Sequence, residues 1–218
     1  MSKINIGKKI LSANEQYALQ NSRLLADQKK LCLNVISSPG SGKTTILAKT
    51  ITDLAGKLRI GVIEGDIQTD IDAQRIRQAG APAIQINTNG ACHLSAPQVS
   101  TALEHLPLDN LDMIFIENVG NLVCPTAFEL GESFKIVVLS VAEGDDKPAK
   151  YPGIFAKSKV LLINKIDLLA HVDFDIAKVE AESRRLNHGI QIFPISAKTG
   201  EGMNNWYDWL LKAAKQMA

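Results

Sequence analysis

The stretch "SSPGSGKTT", Ser37 to Thr45, follows the apolar run "LCLNVI" and opens the amphipathic run Lys43 to Leu54. A strand that breaks into a glycine-rich turn and re-emerges as a helix gathers backbone N–H groups and a helix N-terminus around one point. An oxyanion such as phosphate fits there. Gly40 and Gly42 let the chain curl, and the set Gly40, Ser41, Gly42, Lys43, Thr44 and Thr45 reads as a phosphate cradle. Lys43 can reach the outer phosphates of a nucleotide, and the Thr44 hydroxyl can bind Mg2+. The usual pattern G-x-x-x-x-G-K-S/T would put glycine at 37. Ser37 stands there instead and calls for a negative φ, so the loop reads as a variant of the pattern.

Around this loop, apolar β-branched runs recur at "RIGVIEGD", "AIQIN", "MIFIEN", "KIVVLSVA", "KVLLINK" and "IQIFPIS". Several are continuous, as in strands covered on both faces. Amphipathic stretches separate many of them: Asp72 to Ala79, Pro97 to Leu106 and Ile176 to Leu186. The alternation predicts a P-loop NTPase of α/β class, a mostly parallel sheet of about seven strands with helices on both faces. All 218 residues read as one P-loop GTPase domain with a helical extension at about residues 8–29. The formal charge of +1, from 24 Lys plus Arg against 23 Asp plus Glu, provides no basic field for nucleic acid. No apolar run is long enough to span a membrane, and the first residues lack the pattern of a signal peptide, so a cytoplasmic protein is expected. Three cysteines are too few for a disulfide framework and read as thiols for packing or metal.

"NKID", Asn164 to Asp167, directly follows the apolar run "KVLLI". A carboxylate at Asp167 can accept from both N1–H and the exocyclic amine of guanine, a donor pair that adenine lacks. Paired polar groups reject a base that leaves them unpaired. Asn164 can brace the loop, and the Lys165 stem can lie across the base. "SAK", Ser196, Ala197 and Lys198, can offer a backbone N–H to guanine O6. Together these favour GTP over ATP.

The run "DMIFIENVG" ends in Glu117-Asn118-Val119-Gly120. A carboxylate at a buried strand end beside a phosphate loop can hold Mg2+, and Gly120 can follow the γ-phosphate with its N–H. "EGDIQTDIDAQR" supplies Glu64, Asp66, Asp70 and Asp72. Asp66, nearest the strand end, is the expected contact for Mg2+ or the attacking water. Asp70 and Asp72 can equally serve as helix caps. The catalytic set is therefore Lys43, Asp66 and Glu117, with Thr44, Asp66 and Glu117 around magnesium. No glutamine or arginine stands out as a catalytic residue, so slow intrinsic hydrolysis is expected.

"TNGACHL" places Cys92 beside His93 after the turn signal Asn89-Gly90, and Cys124 lies four residues past Gly120. In a turn, adjacent side chains can address one ion. Three ligands make an incomplete shell for Zn2+ or Ni2+, which a symmetric dimer would complete. The competing reading is two small buried hydrophobes and a hydrogen-bonded histidine. Residues alone leave both open.

The combination "SSPGSGKTT", "EGDIQTDID", "NTNGACHLSA", "IFIENVGNLVCP", "EGDDKPAKYPGI" and "INKIDL" resembles the HypB family, GTPases of nickel–iron hydrogenase maturation. The resemblance runs from about Lys30 to about Gly202. It implies a GTP-dependent nickel-insertion accessory protein that forms a homodimer when GTP is bound. It also implies a metal site at the dimer interface, with Cys92, His93 and Cys124 as ligands of nickel or zinc. The partners implied are a HypA-like nickel chaperone and the precursor of a hydrogenase large subunit. Many members carry a Cys-rich or His-rich tract near the N-terminus, and "MSKINIGKKILSANEQYALQNSR" has neither residue. Tight nickel binding is therefore not expected of that stretch. GTP is expected to order Asn118 to Pro125, bringing Cys124 to Cys92 and His93.

Other readings remain: a urease-type nickel-insertion GTPase, a regulatory GTPase with structural thiols, and a small-molecule kinase, the last disfavoured by "NKID" with "SAK". Asp167→Asn is predicted to weaken GTP binding by several kcal/mol and to gain affinity for xanthosine triphosphate, whose 2-carbonyl accepts from the new amide. Equilibrium titration of both nucleotides checks this, and unchanged GTP affinity would overturn the base assignment.

Overall fold

The computed structural model describes residues 6–66 and 70–217, with side chains from 13–65 and 70–217. The backbone alternates helix and strand as follows: α1 (Ile6–Asp27), β1 (Leu31–Ser37), α2 (Lys43–Asp53), β2 (Ile60–Asp66), α3 (Ile71–Gln78), β3 (Ala83–Asn87), α4 (Ala96–His105), β4 (Met113–Glu117), α5 (Cys124–Ala127), β5 (Phe134–Ser140), α6 (Lys147–Lys150), α7 (Pro152–Lys157), β6 (Ser158–Asn164), α8 (Ile176–Leu186), β7 (Gln191–Pro194) and α9 (Met203–Met217). The seven strands form one sheet in the order β3-β2-β4-β1-β5-β6-β7. Every strand pairing among the described residues is parallel. The expectation of a mostly parallel sheet thus becomes an all-parallel one. The expected extension at about residues 8–29 corresponds to α1.

Both sheet faces are buried, and the strand pleat decides which residue serves which face. On β4, Met113 and Phe115 join the core shared with Ile46 and Leu47 of α2, Ile76 of α3 and Trp206 of α9. Ile114 and Ile116 turn to the other side, onto Val99 and Leu103 of α4 and Leu25 of α1. Farther along that second face, Val137 and Leu139 of β5 meet Ile154 and Phe155 of α7 and Val179 of α8. Continuous apolar strands and two covered faces are therefore one fact.

Two asparagines one heptad apart seat α1. Asn14 accepts from the Ala96 N–H at 2.8 Å and donates to the Glu129 carbonyl at 2.7 Å. Asn21 donates to the carbonyls of Ala96 (3.0 Å) and Leu130 (2.8 Å). Gly131 makes this approach possible, since a Cβ there would lie 2.5 Å from Asn21 Cβ. A buried carboxamide without partners costs about 1–3 kcal/mol, so these bonds orient the helix as well as satisfy it. All seven strands point their carboxyl ends the same way. Ligands of open parallel sheets bind at that edge, near the point where strand order reverses about β1.

Trp206 is 1% exposed, its Nε1–H donates to Thr50 Oγ1 at 3.2 Å, and its ring lies 6.5 Å from Phe115 and 6.3 Å from Phe193. Trp206→Ala is predicted to cost about 3–5 kcal/mol in urea unfolding, the range for a buried aromatic reduced to alanine. Tyr207→Phe loses only a part-buried hydrogen bond to Asp53 Oδ2 of 2.7 Å and should cost about 1 kcal/mol or less. Equal losses in the two variants would contradict the core assignment.

Candidate nucleotide and metal sites

The turn after β1 follows its glycines. Gly40 (φ 75°) and Gly42 (φ 96°) take the left-handed conformation, and a Cβ on Gly42 would meet Asn164 Nδ2 at 2.6 Å. Ser37, the departure from the usual pattern, ends β1 fully buried. Its Oγ accepts from Ser41 Oγ (2.6 Å) and Lys43 Nζ (3.0 Å) and donates to the Ser38 carbonyl at 2.7 Å. The serine therefore stations the lysine at the loop. Lys43 and Thr44 open α2, so the helix N-terminus faces the turn.

Parallel pairing sets Glu64 of β2 opposite Glu117 of β4, both almost wholly buried. Thr44 Oγ1 donates to Glu117 Oε1 at 2.9 Å. Glu64 Oε1 and Glu117 Oε2 are buried without a hydrogen-bond partner. Burial, then the Glu117 charge, pushes the Glu64 carboxyl well above its ordinary value. Burial raises Glu117 to about 6, with Lys43 and the Thr44 hydrogen bond pulling the other way. Two orphaned carboxylate oxygens beside a threonine hydroxyl are the all-oxygen donor set that a hard divalent cation takes. Mg2+ fits these residues, and Thr44, Glu117 and Glu64 can hold it.

The surrounding cleft, about 510 Å³, is lined by Gly40, Gly42, Lys43, Thr44, Thr45, Glu64, Asp72, Arg75, Glu117, Asn118, Gly120 and Lys165 among others. Asp66 ends β2, and its side chain lies outside the described residues. Asp72 lines the cleft, whereas exposed Asp70 precedes α3 without a side-chain cap bond and pairs with Arg77 at 3.2 Å. Sequence reasoning passed over Arg75. Its guanidinium donates to Thr45 Oγ1 at 3.2 Å and lies 3.6 Å from Asp72. An arginine does therefore stand in the cleft, one helical turn along α3, where spacing alone did not point it at the phosphate loop. Glu64, beside the expected Asp66 in the same stretch, lines the cleft. A glutamate inside the apolar run "GVIEG" is itself the signal of a buried, employed carboxylate.

A smaller cavity of about 180 Å³ adjoins the cleft, lined by Gly42, Thr45, Asn164, Lys165, Asp167, Leu168, Ala197 and Lys198. Asn164 ties three loops together, donating to the Ser41 carbonyl at 2.8 Å and accepting from the Ala197 N–H at 3.2 Å. Lys165 takes φ 65° and donates to the Gly40 carbonyl at 2.7 Å. Ser196 Oγ donates to Asp167 Oδ1 at 2.6 Å and accepts from the Thr199 N–H at 3.1 Å. Phosphate loop, "NKID" and "SAK" thus share one wall.

Cys92, His93 and Cys124 also come together, each offering a ligand atom within 4.8 Å of the others. Cys92 Sγ is 3.5 Å from His93 Nδ1, and the His93 ring lies tilted against Phe128, 3.9 Å between centroids. The turn before them uses Asn89 (φ 50°) and Gly90 (φ 86°). Cys92 is exposed and Cys124 partly so, which removes the reading of two buried hydrophobes; Cys32 alone of the thiols is core. The Cys124 thiol, followed by partial burial, raises the Cys92 pKa, and burial lowers that of His93. A neutral imidazole and two adjoining thiols are ligands for a borderline-soft ion. The three ligand atoms adjoin within one chain, with Cys124 beside Cys92 and His93.

Fold and cleft define a P-loop nucleotide-binding protein, and residues 31–194 match the family described as CobW/HypB/UreG, nucleotide-binding domain. The chain is 52% identical to hydrogenase maturation factor HypB of Rhizobium leguminosarum bv. viciae over 99% of its own length and 72% of that protein's. It is 41% identical to the probable hydrogenase maturation factor HypB of Methanocaldococcus jannaschii, over 98% and 97%. The crystal structure of Helicobacter pylori HypB in complex with nickel superposes with a TM-score of 0.89 at 37% identity, over 94% of this chain and 96% of that one. The chain belongs to the HypB family of hydrogenase maturation factors.

A carboxyl whose folded pKa is raised opposes folding once pH climbs above its ordinary value near 4.5. Glu64→Gln is therefore predicted to raise the urea midpoint of nucleotide-free and metal-free protein at pH 8, with the gain vanishing as pH falls toward 4.5. A midpoint that drops at pH 8 would show that burial does not hold the Glu64 carboxyl above its ordinary value.

Proposed function

We propose that this chain is a Mg2+-dependent GTPase of slow intrinsic turnover that carries nickel on Cys92, His93 and Cys124. Its nucleotide state controls delivery of that nickel to a hydrogenase precursor in the cytoplasm. The observation that carries the reading is the placement of Cys124, with Cys92 and His93 beside it, at the far end of a short segment whose near end, Glu117 to Gly120, lines the nucleotide cleft. The family and the nickel-bound neighbour support the metal and the process.

In this reading Lys43 pairs with the outer phosphates, while the N–H groups from Gly40 to Thr45 cradle them. Mg2+, when bound, neutralises charge on the phosphates, and Thr44, Glu117 and Asp66 are its residues, with Glu64 beside them. Gly120 senses the γ-phosphate. Asp167 selects guanine; Asn164, Lys165, Ser196, Ala197 and Lys198 shape the base cavity, and the Ser196 bond holds the Asp167 carboxylate in place. Three ligands per chain favour a homodimer that shares ions across its two-fold axis when GTP is bound. Val123 and Ile71 are exposed apolar side chains of the kind such an interface buries. A HypA-like chaperone and the large-subunit precursor are the partners in transfer. Zn2+ suits the same ligands.

Nickel titration of the parent, Cys92→Ala, His93→Ala and Cys124→Ala, each with GDP and with a non-hydrolysable GTP analogue, tests the proposal. The parent should bind nickel stoichiometrically with an affinity and dimer fraction that depend on nucleotide. Both cysteine variants should lose most of that affinity while still binding GTP. A parent without a stoichiometric site would favour a regulatory GTPase with structural thiols.

A further inference from the structure

The nucleotide cleft and the Cys/His cluster are joined by one side chain. Asn118, 1% exposed, directly follows Glu117. Its Oδ1 accepts from the Leu94 N–H at 3.1 Å and from the Val119 N–H at 3.0 Å. Leu94 follows His93 in the metal loop, and Val119 leads into Gly120 on the cleft wall. One oxygen therefore grips both segments.

A chain of buried partners leaves this carboxamide one orientation. Lys135, 4% exposed at its side chain, donates to Glu132 Oε1 at 2.6 Å, which fixes that oxygen as an acceptor. Asn34 Nδ2 must face that carboxylate and does so at 2.9 Å. Asn34 Oδ1 is thereby turned to Asn118 Nδ2 at 3.2 Å. Only Oδ1 of Asn118 remains for the two N–H groups, and a rotation would oppose donor to donor. Asn121 adds a second bridge, donating from Nδ2 to the Cys92 carbonyl at 3.2 Å while its Oδ1 accepts from the Val123 N–H at 2.9 Å. Between the two bridges, Gly120 lies against the phosphate loop, where a Cβ would come within 2.9 Å of Pro39 N. On the other side the Leu94 side chain packs so closely on β2 that a Cβ on Gly65 would lie 2.7 Å from its Cδ1. The metal loop is thus held between β2 and the segment that follows β4.

We propose that Asn118 is the positioning residue through which the nucleotide state reaches the metal cluster, with Asn121 as a second bridge. A phosphate that draws the Val119–Gly120 backbone toward the phosphate loop must carry the Leu94 N–H with it or break its bond to Asn118. Either result changes where Cys92 and His93 stand relative to Cys124. By linkage, a metal that fixes the loop changes nucleotide affinity by the same factor. The inference rests on the proposed nucleotide control of nickel binding.

The readout is the ratio of Ni2+ affinities of the full chain with a GTP analogue and with GDP, measured by competition with a metal indicator. Coupled sites commonly show ratios of about 5–150. Asn118→Ala should bring the ratio close to one while Ni2+ still binds in both states. A residue that merely supports the fold would weaken both affinities alike and leave the ratio standing, and that result overturns the proposal. Should Asn118→Ala fail to fold, Asn121→Ala at its half-buried position carries the test: a reduced ratio supports the link and an unchanged one overturns it. A parent ratio of one removes nucleotide control itself, whereas a parent ratio well above one that both variants preserve removes only the asparagine link.

Discussion

Parallel pairing of β2 with β4 forces Glu64 and Glu117 side by side inside the sheet edge, and the surrounding chemistry answers that constraint. Two adjoining buried carboxylates cannot both ionise cheaply without a cation. Lys43 supplies one charge, Ser37 stations it, and Thr44 supplies a hydrogen bond. Glu64 Oε1 and Glu117 Oε2 are left without a hydrogen-bond partner. Such a site is costly when empty and suited to a divalent cation with a polyphosphate, so its residues serve binding at the expense of the resting fold.

The same crowding explains the glycines that flank the cleft. Gly42 allows Asn164 to reach across to the carbonyl of Ser41, and Gly120 allows the segment after β4 to lie against Pro39. In each place a side chain would push apart two segments that lie in contact. Interfaces packed to that degree shift between discrete arrangements more readily than they deform by degrees. In the proposed switch, a change at the γ-phosphate position has few ways to dissipate before it meets the Cys/His loop.

The metal cluster borrows its rigidity from the fold. His93 rests on Phe128, the Cys92 carbonyl is held by Asn121, and α4 begins at Ala96, whose N–H and carbonyl are bonded to Asn14 and Asn21 of α1. Those same asparagines hold Glu129 and Leu130, directly after Phe128. Helix α1 thus grips both sides of the cluster at a few residues' remove, a support that the helical pattern of its sequence did not announce.

Local chemistry was legible in the sequence, and assembly was not. The phosphate loop, "NKID" and "SAK" could be read as local motifs because each gathers residues adjacent in the chain, whose spacing fixes their geometry. Seven strands could be counted because burial on both faces leaves continuous apolar runs. The strand order, however, follows from which helices cover which face, and that order alone brings Cys124 to Cys92 and His93. Register decided that Glu64 faces Glu117, and helical phase decided that Arg75 turns to Thr45. Asn34 and Asn118 look ordinary in sequence, since a buried carboxamide is defined by its partners, and those partners lie 98 and 24 residues away. Sequence determines chemistry where neighbours in the chain do the work; where distant backbone and side chains must meet, only the tertiary structure decides, because a hydrogen bond exists only once both ends are in place.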